Sequence, residues 1–195
     1  MTTLPLPADD DLSPETRQVL DNLPPLNVFR AVASVPASFV PFLQLGGSVL
    51  GGPEIDARNR EIAILGVARA TGAAYERAQH EQLARNVGVS ADEIAAIRDG
   101  DAEAALDADG ALAFAAATEI SRDVRISDAT LARLIERWGN AGAAELILCC
   151  AYYNMVSRFL ESTGVELEPE QLLDDRSPED IRRRAGWRSS RPPRG

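Results

Sequence analysis

The sequence predicts an all-α protein, and three observations carry that expectation. No stretch alternates apolar and polar residues over six positions between hairpin turns. Alanine is abundant in the segments with helical spacing, where it favours helix over glycine by roughly 0.5–1 kcal/mol and lets helices approach closely. Helix start and stop residues recur along the chain. Of the 195 residues, 45% are hydrophobic and 26% charged, enough for one domain with a sizeable core. The longest strongly apolar run, Ala143 to Val156, is interrupted by Glu145 and Asn154, so no membrane span is expected.

The elements follow in order. Ser13, Pro14 and Glu15 supply a cap, a first-turn proline and a first-turn acid for a helix to about Asn22, stopped by Leu23-Pro24-Pro25. Asn27 to Ser34 makes a short helix, and Pro36 opens another that ends at Gly51-Gly52-Pro53. Asp56 to Thr71 is apolar nearly all round between Ile62 and Ala68, the mark of a buried central helix, with Gly72 as its terminator and Glu61 as its exception. The break at Gly72 allows the next helix, Ala74 to Asn86, to fold back antiparallel. Ser90 and Glu93 form a capping-box signature for a helix to about Arg98. Gly100 to Asp109 reads as a turn region, and a helix follows from about Ala111 to Arg122. Ser127 caps a helix to Trp138, Gly139-Asn140 breaks it, and Gly142 to Ser162, closed by Gly164, is the longest element.

Charge and composition narrow the function. The net charge is −10, a field that repels phosphate backbones and argues against nucleic-acid partners. Every basic side chain is arginine, so neither a Schiff-base lysine nor a phosphate-loop lysine is available, and there is no P-loop, GxGxxG or GxSxG. The segment 176–195 holds seven arginines against Glu179 and Asp180, a local +5 that leaves −15 on the rest. It reads as a peripheral arm for the acidic body or a neighbouring subunit, with Trp187 as its anchor. Cys149 and Cys150 are the only cysteines, and they are adjacent. Adjacent residues of one helix point about 100° apart, so the pair gives no CxxC, disulfide framework or zinc set. A cytoplasmic location is expected, since Met1 to Leu12 lacks an apolar signal core.

His80 is the only histidine, hence the only side chain whose unperturbed pKa lies close to neutrality. At about 100° per residue, His80, Leu83 and Val87 fall within about 40° of Glu76, while Arg77, Glu81 and Arg85 lie elsewhere on the wheel. Glu76 and His80 therefore point inward, four apart and within reach of each other. Such a pair can be a satisfied structural contact or a site in which the acid orients the imidazole for proton transfer. Glu61, one helix upstream, can position that pair, relay a proton, cap a helix end or pair with Arg58 or Arg133. Tyr75 is placed to pack or to line a pocket mouth.

Arg60-Glu-Ile-Ala-Ile-Leu-Gly-Val-Ala-Arg-Ala-Thr-Gly72, followed by Ala73-Ala-Tyr-Glu-Arg-Ala-Gln-His80, resembles the signature of the carboxymuconolactone decarboxylase family, which includes the alkylhydroperoxidase AhpD-like proteins. Ala151 to Arg158 is similar to the family's closing helix. The resemblance covers about Val35 to Gly164. It implies an AhpD-like helical domain of roughly seven to nine helices over 36–165, an N-terminal extension over 1–35 and an Arg-rich tail over 166–195. In the thiol-active branch the pattern runs Glu, eleven residues, Cys, two residues, Cys, three residues, His. Here the outer members are Glu61 and His80, but Ala73 and Glu76 occupy the cysteine positions. A thiol peroxidase route needs an attacking and a resolving thiol, and this chain has neither there.

The decarboxylase branch resembles the chain better and implies a cofactor-free acid–base enzyme acting on a small carboxylated or lactone-like substrate. His80 is the expected proton donor, with Glu76 and Glu61 as its catalytic partners, Tyr75 at the pocket, and Arg58, Arg60 or Arg69 holding a substrate carboxylate. No metal is expected, because one histidine cannot build a three-His or His-His-carboxylate site. A trimer or hexamer is usual for relatives. The alternatives are a catalytically silent or ligand-sensing scaffold of the same fold, and an alkylhydroperoxidase-like antioxidant protein, which the absent CxxC disfavours.

Overall fold

The computed structural model describes residues 2–169 and 172–173, and among these it contains nine α-helices and no strand. They are α1 (Pro14–Asp21), α2 (Asn27–Ala33), α3 (Pro36–Leu50), α4 (Ala57–Thr71), α5 (Ala74–Asn86), α6 (Ala91–Asp99), α7 (Ala102–Ala105), α8 (Ala108–Asp123) and α9 (Asp128–Thr163). The Arg-rich stretch 176–195 and its Trp187 lie outside the described residues.

Local chemistry sets the boundaries. Ser13, Asp56, Ser90, Asp107 and Ser127 each accept a hydrogen bond from the backbone N–H three residues on, satisfying a donor the helix start would leave open. Gly72, at φ 75°, ends α4 in the left-handed conformation that glycine adopts without penalty, and α5 begins two residues later. Two expectations shift. The stretch read as a turn region contains the one-turn α7, and α8 starts at Ala108 rather than about Ala111, because Asp107 is a working cap. The two helices expected either side of Gly139 form one element, with Gly139 alone non-helical at φ 67° and ψ 179°.

Helix α4 is the centre. Asn59 to Ala68 are all buried, and α4 packs most extensively against α8, then α9 and α5. A Cβ at Gly66 would sit 3.1 Å from both Phe114 and Ala117, so the missing side chain lets α4 and α8 close up. One core fills the space between α4, α8 and α9; another lies around α6 with Ile62, Leu65 and Phe114. A third joins Leu12, Leu26, Phe29, Phe39 and Leu43 to Leu83 of α5 and to Leu173 beyond α9. The N-terminal helices thus belong to the packing around α5 rather than standing apart from it. Among the described residues no helix is long and apolar enough to cross a membrane.

Candidate active site

The fold-back at Gly72 brings α5 against α4 and sets its inner stripe beside Glu61. His80 Nδ1 lies 2.7 Å from Glu61 Oε2, with the carboxyl fully buried and the ring 8% exposed. A carboxylate only accepts, so Nδ1 carries the proton and Nε2 keeps its lone pair in the neutral ring. Nε2 makes no hydrogen bond among the described residues, and His80 lines a cavity of about 90 Å³. Tyr153 of α9 holds the ring edge-on at a centroid distance of 4.8 Å, and Tyr152 packs edge-on against Tyr153 at 5.3 Å.

The expected Glu76–His80 hydrogen bond is not formed. The imidazole takes its carboxylate from the neighbouring helix, while Glu76 Oε2 accepts from Ser157 Oγ of α9 at 2.9 Å. Both acids are buried, and their Oε1 atoms have no hydrogen-bond partner among the described residues. Burial pushes the Glu76 carboxyl well above the ordinary carboxylate range; the Ser157 bond opposes this, and the charges of Glu161 and Glu61 add to it. The site therefore pairs an oriented imidazole with a carboxylic acid held protonated.

The rest of the wall is largely apolar. Leu26, Val28 and Phe29 enter from the N-terminal segment, Phe42 and Leu43 from α3, and Val156 from α9. Gly46 is where α3 meets α9: a Cβ there would lie 2.5 Å from the Tyr152 hydroxyl. Tyr75 lines the cavity, and burial raises its phenol, reinforced by a hydrogen bond to Glu168 at 2.7 Å.

None of the three candidate arginines lines the cavity. Arg58 pairs with Glu93 and, at 3.1 Å, with Asp107. Arg60 is buried and bonded to the carbonyls of Leu50, Gly52 and Ile55 and to Glu145, which makes it a clamp on the α3–α4 connection. Arg69 lies against Gly100. No arginine stands in the described wall, so a substrate carboxylate has no cationic anchor there. Cys149 and Cys150 are buried and off the wall. Burial pushes the Cys149 thiol well up, helped by neighbouring Cys150, and raises Cys150 to about 12, away from the thiolate that redox chemistry needs. Among the described residues no three His, Cys, Asp or Glu side chains are grouped to hold a metal ion.

The residue reading missed Ser157, Gln79 and Glu168. A signal existed for Ser157, a lone hydroxyl four residues after Tyr153 on the buried stripe of α9. No local pattern points to Glu168, which lies in irregular chain about ninety positions from its partners.

Residues 36–119 match the sequence profile of the carboxymuconolactone decarboxylase family. A comparison with curated protein sequences finds no match. Among solved structures, an alkylhydroperoxidase AhpD core, an uncharacterised peroxidase-related protein from Ralstonia eutropha JMP134, superposes with a TM-score of 0.75 at 18% identity, covering 87% of this chain and 93% of that one. An uncharacterised peroxidase-related protein from Silicibacter sp. TM1040 gives 0.76 at 19% identity, covering 90% and 95%. The debrominase Bmp8 gives 0.72 at 15% identity, covering 95% and 98%, and a cysteine-to-alanine form of it is known in complex with a tribromopyrrole. The chain thus carries the all-helical fold shared by AhpD and the carboxymuconolactone decarboxylase family, with two buried, unpaired cysteines rather than a CxxC motif.

Proposed function

We propose that the protein is a cofactor-free acid–base enzyme that moves a proton on a small, uncharged, largely apolar molecule such as an unsaturated lactone or a related ring. The observation that carries this reading is the Glu61–His80 pair, bonded through Nδ1 with Nε2 unpartnered, in the wall of an apolar cavity. Nε2 accepts a proton from the substrate, and Glu61 stabilises the imidazolium that results. Glu76 is kept protonated by burial, so it can donate to the oxygen or carbon where charge collects. Two groups whose surroundings separate their proton affinities thus take the base and acid roles.

Substrate charge follows from the wall. Two buried acids and no arginine disfavour an anion, so the carboxylated version of the substrate has less support than the lactone-like one. The small heteroaromatic ring bound by the Bmp8 variant supports a planar apolar ligand for this fold. Thiol chemistry has the least support, because both sulfurs are buried away from the cavity. A second reading, a ligand-binding scaffold without turnover, is favoured by the cavity's size. Its 90 Å³ lies below the ~150 Å³ of an apolar cavity known to take benzene.

The test is deuterium exchange from heavy water into a panel of unsaturated lactones, followed by NMR. Native protein should catalyse exchange at one carbon of at least one compound, and His80→Gln should lower the rate by about 10²–10⁴-fold. Exchange at equal rates in both proteins removes the acid–base role. Ligand binding without exchange in either establishes the scaffold.

A further inference from the structure

After α9 the chain turns at Gly164, where φ is 68°, and runs back along α5 without secondary structure over 165–169 and 172–173. A polar stripe of α5 receives it. Tyr75, Gln79, Gln82 and Asn86, spaced four, three and four apart, lie beside the stripe that carries Glu76, His80 and Leu83. Tyr75 Oη donates to Glu168 Oε1 at 2.7 Å, and Gln79 Nε2 donates to Glu168 Oε2 at 2.6 Å. The backbone N–H of Asn27, at the start of α2, donates to the same carboxylate. Farther on, Leu173 N–H donates to Gln82 Oε1, and Asn86 Nδ2 donates to the Leu173 carbonyl, both at 3.0 Å. The Leu173 side chain is 1% exposed and forms part of the cavity wall.

This wall differs from the others in what holds it. The remaining sides are helices locked into the three cores, whereas the arm is tied by side-chain hydrogen bonds and one buried leucine, with Glu166, Leu167 and Pro169 exposed. The cavity is smaller than a ring-sized guest requires, so entry demands that some wall move. The side with the fewest buried apolar contacts opens at the lowest cost.

We propose that the arm is the movable wall of the cavity, that Glu168 is the latch holding it against α5 and α2, and that small molecules reach His80 Nε2 by its release. Access is independent of the reaction that follows, so this inference stands apart from the acid–base reading and can fail separately from it.

The lone histidine supplies the test. Diethyl pyrocarbonate carbethoxylates an accessible neutral imidazole, and the ultraviolet absorbance of the product reports His80 alone. Rates are compared on the alkaline plateau of each protein, so that a change in His80 titration does not enter. Glu168→Gln puts an amide N–H where three donors converge, and Leu173→Ala removes the wall side chain while leaving the carboxylate. Each should raise the modification rate roughly tenfold, the scale of one lost charge-assisted bond, with far-UV circular dichroism unchanged. Glu166→Gln, on the same arm but with an exposed side chain, should react at the native rate. A native rate in either folded variant overturns the proposal, as does native His80 reacting as fast as N-acetylhistidine. Should Glu168→Gln fail to fold, Leu173→Ala decides by the same criterion.

Discussion

Glu76 shows how one side chain can tie stability to pH. Its folded carboxyl binds protons more tightly than the ordinary value of 4.5, chiefly through burial. Above that ordinary value the unfolded chain releases this proton while the folded chain retains it. The group's contribution to stability is therefore fully present at low pH, and it declines as pH rises toward the raised folded value. Glu76→Gln keeps the shape and removes the titration. The melting-temperature difference between variant and native should grow in the variant's favour as pH rises from about 4.5, then level off. A constant difference across that range would mean Glu76 is charged in the fold. The cysteines give a second expectation at this scale. Cys149→Ala with Cys150→Ala should lose stability by leaving core space, since both side chains are buried, yet retain the proton exchange proposed for native protein. Loss of exchange with intact circular dichroism would bring sulfur back into the chemistry. The inward direction of Glu76 and His80 was legible in the helical wheel, and both are buried. Their partners were not. A hydrogen bond between helices depends on axial offset and rotation, which the spacing within a single helix does not contain.

Between elements, two glycines carry the geometry. Gly139 has φ 67° and ψ 179°, a conformation essentially reserved for glycine, and open space surrounds its missing Cβ. Gly139→Ala should thus cost about 1–3 kcal/mol from backbone strain alone, read by urea unfolding. A neutral result would show that the bend relaxes into straight helix. Gly46 is the opposite case. It sits within a regular helix, where alanine is favoured by propensity, but a Cβ would collide with the Tyr152 hydroxyl. Gly46→Ala should displace Tyr152 and reshape the cavity. Ligands found for native protein should weaken, while cap and helix signals persist. The helix starts were mostly readable because caps are local chemistry, and Asp107 shows the limit. It lay within a run of acids, glycine and alanine read as a turn, and only the bond from Gly110 N–H marks it as the cap.

For the whole molecule, all nine helices and all three described cores end by Leu173. Deleting 176–195 should leave helical content unchanged by circular dichroism and stability within about 0.5 kcal/mol. Ending the chain at Gly164 should differ, because it removes Glu168 and Leu173 together. That form should melt lower and leave His80 open to diethyl pyrocarbonate. Equal behaviour of the two truncations would deny the arm any part in the cavity. The proposal of a trimer or hexamer is checked by light scattering on the same three proteins.

Composition and spacing alone determined the helical class, most helix ends, the buried character of α4 and α5, and the lack of a thiol pair beside His80. Each follows from local rules: propensity, capping, the 3.6-residue period and the identity of residues at fixed separations. Tertiary structure decided that Glu61, not Glu76, holds the imidazole, that the arginines near the motif serve clamps elsewhere, and that Glu168 reaches the cavity edge. Those outcomes depend on where separate helices and an irregular arm come to rest against one another. Long-range packing of the whole chain sets that placement, and no window of neighbouring residues encodes it.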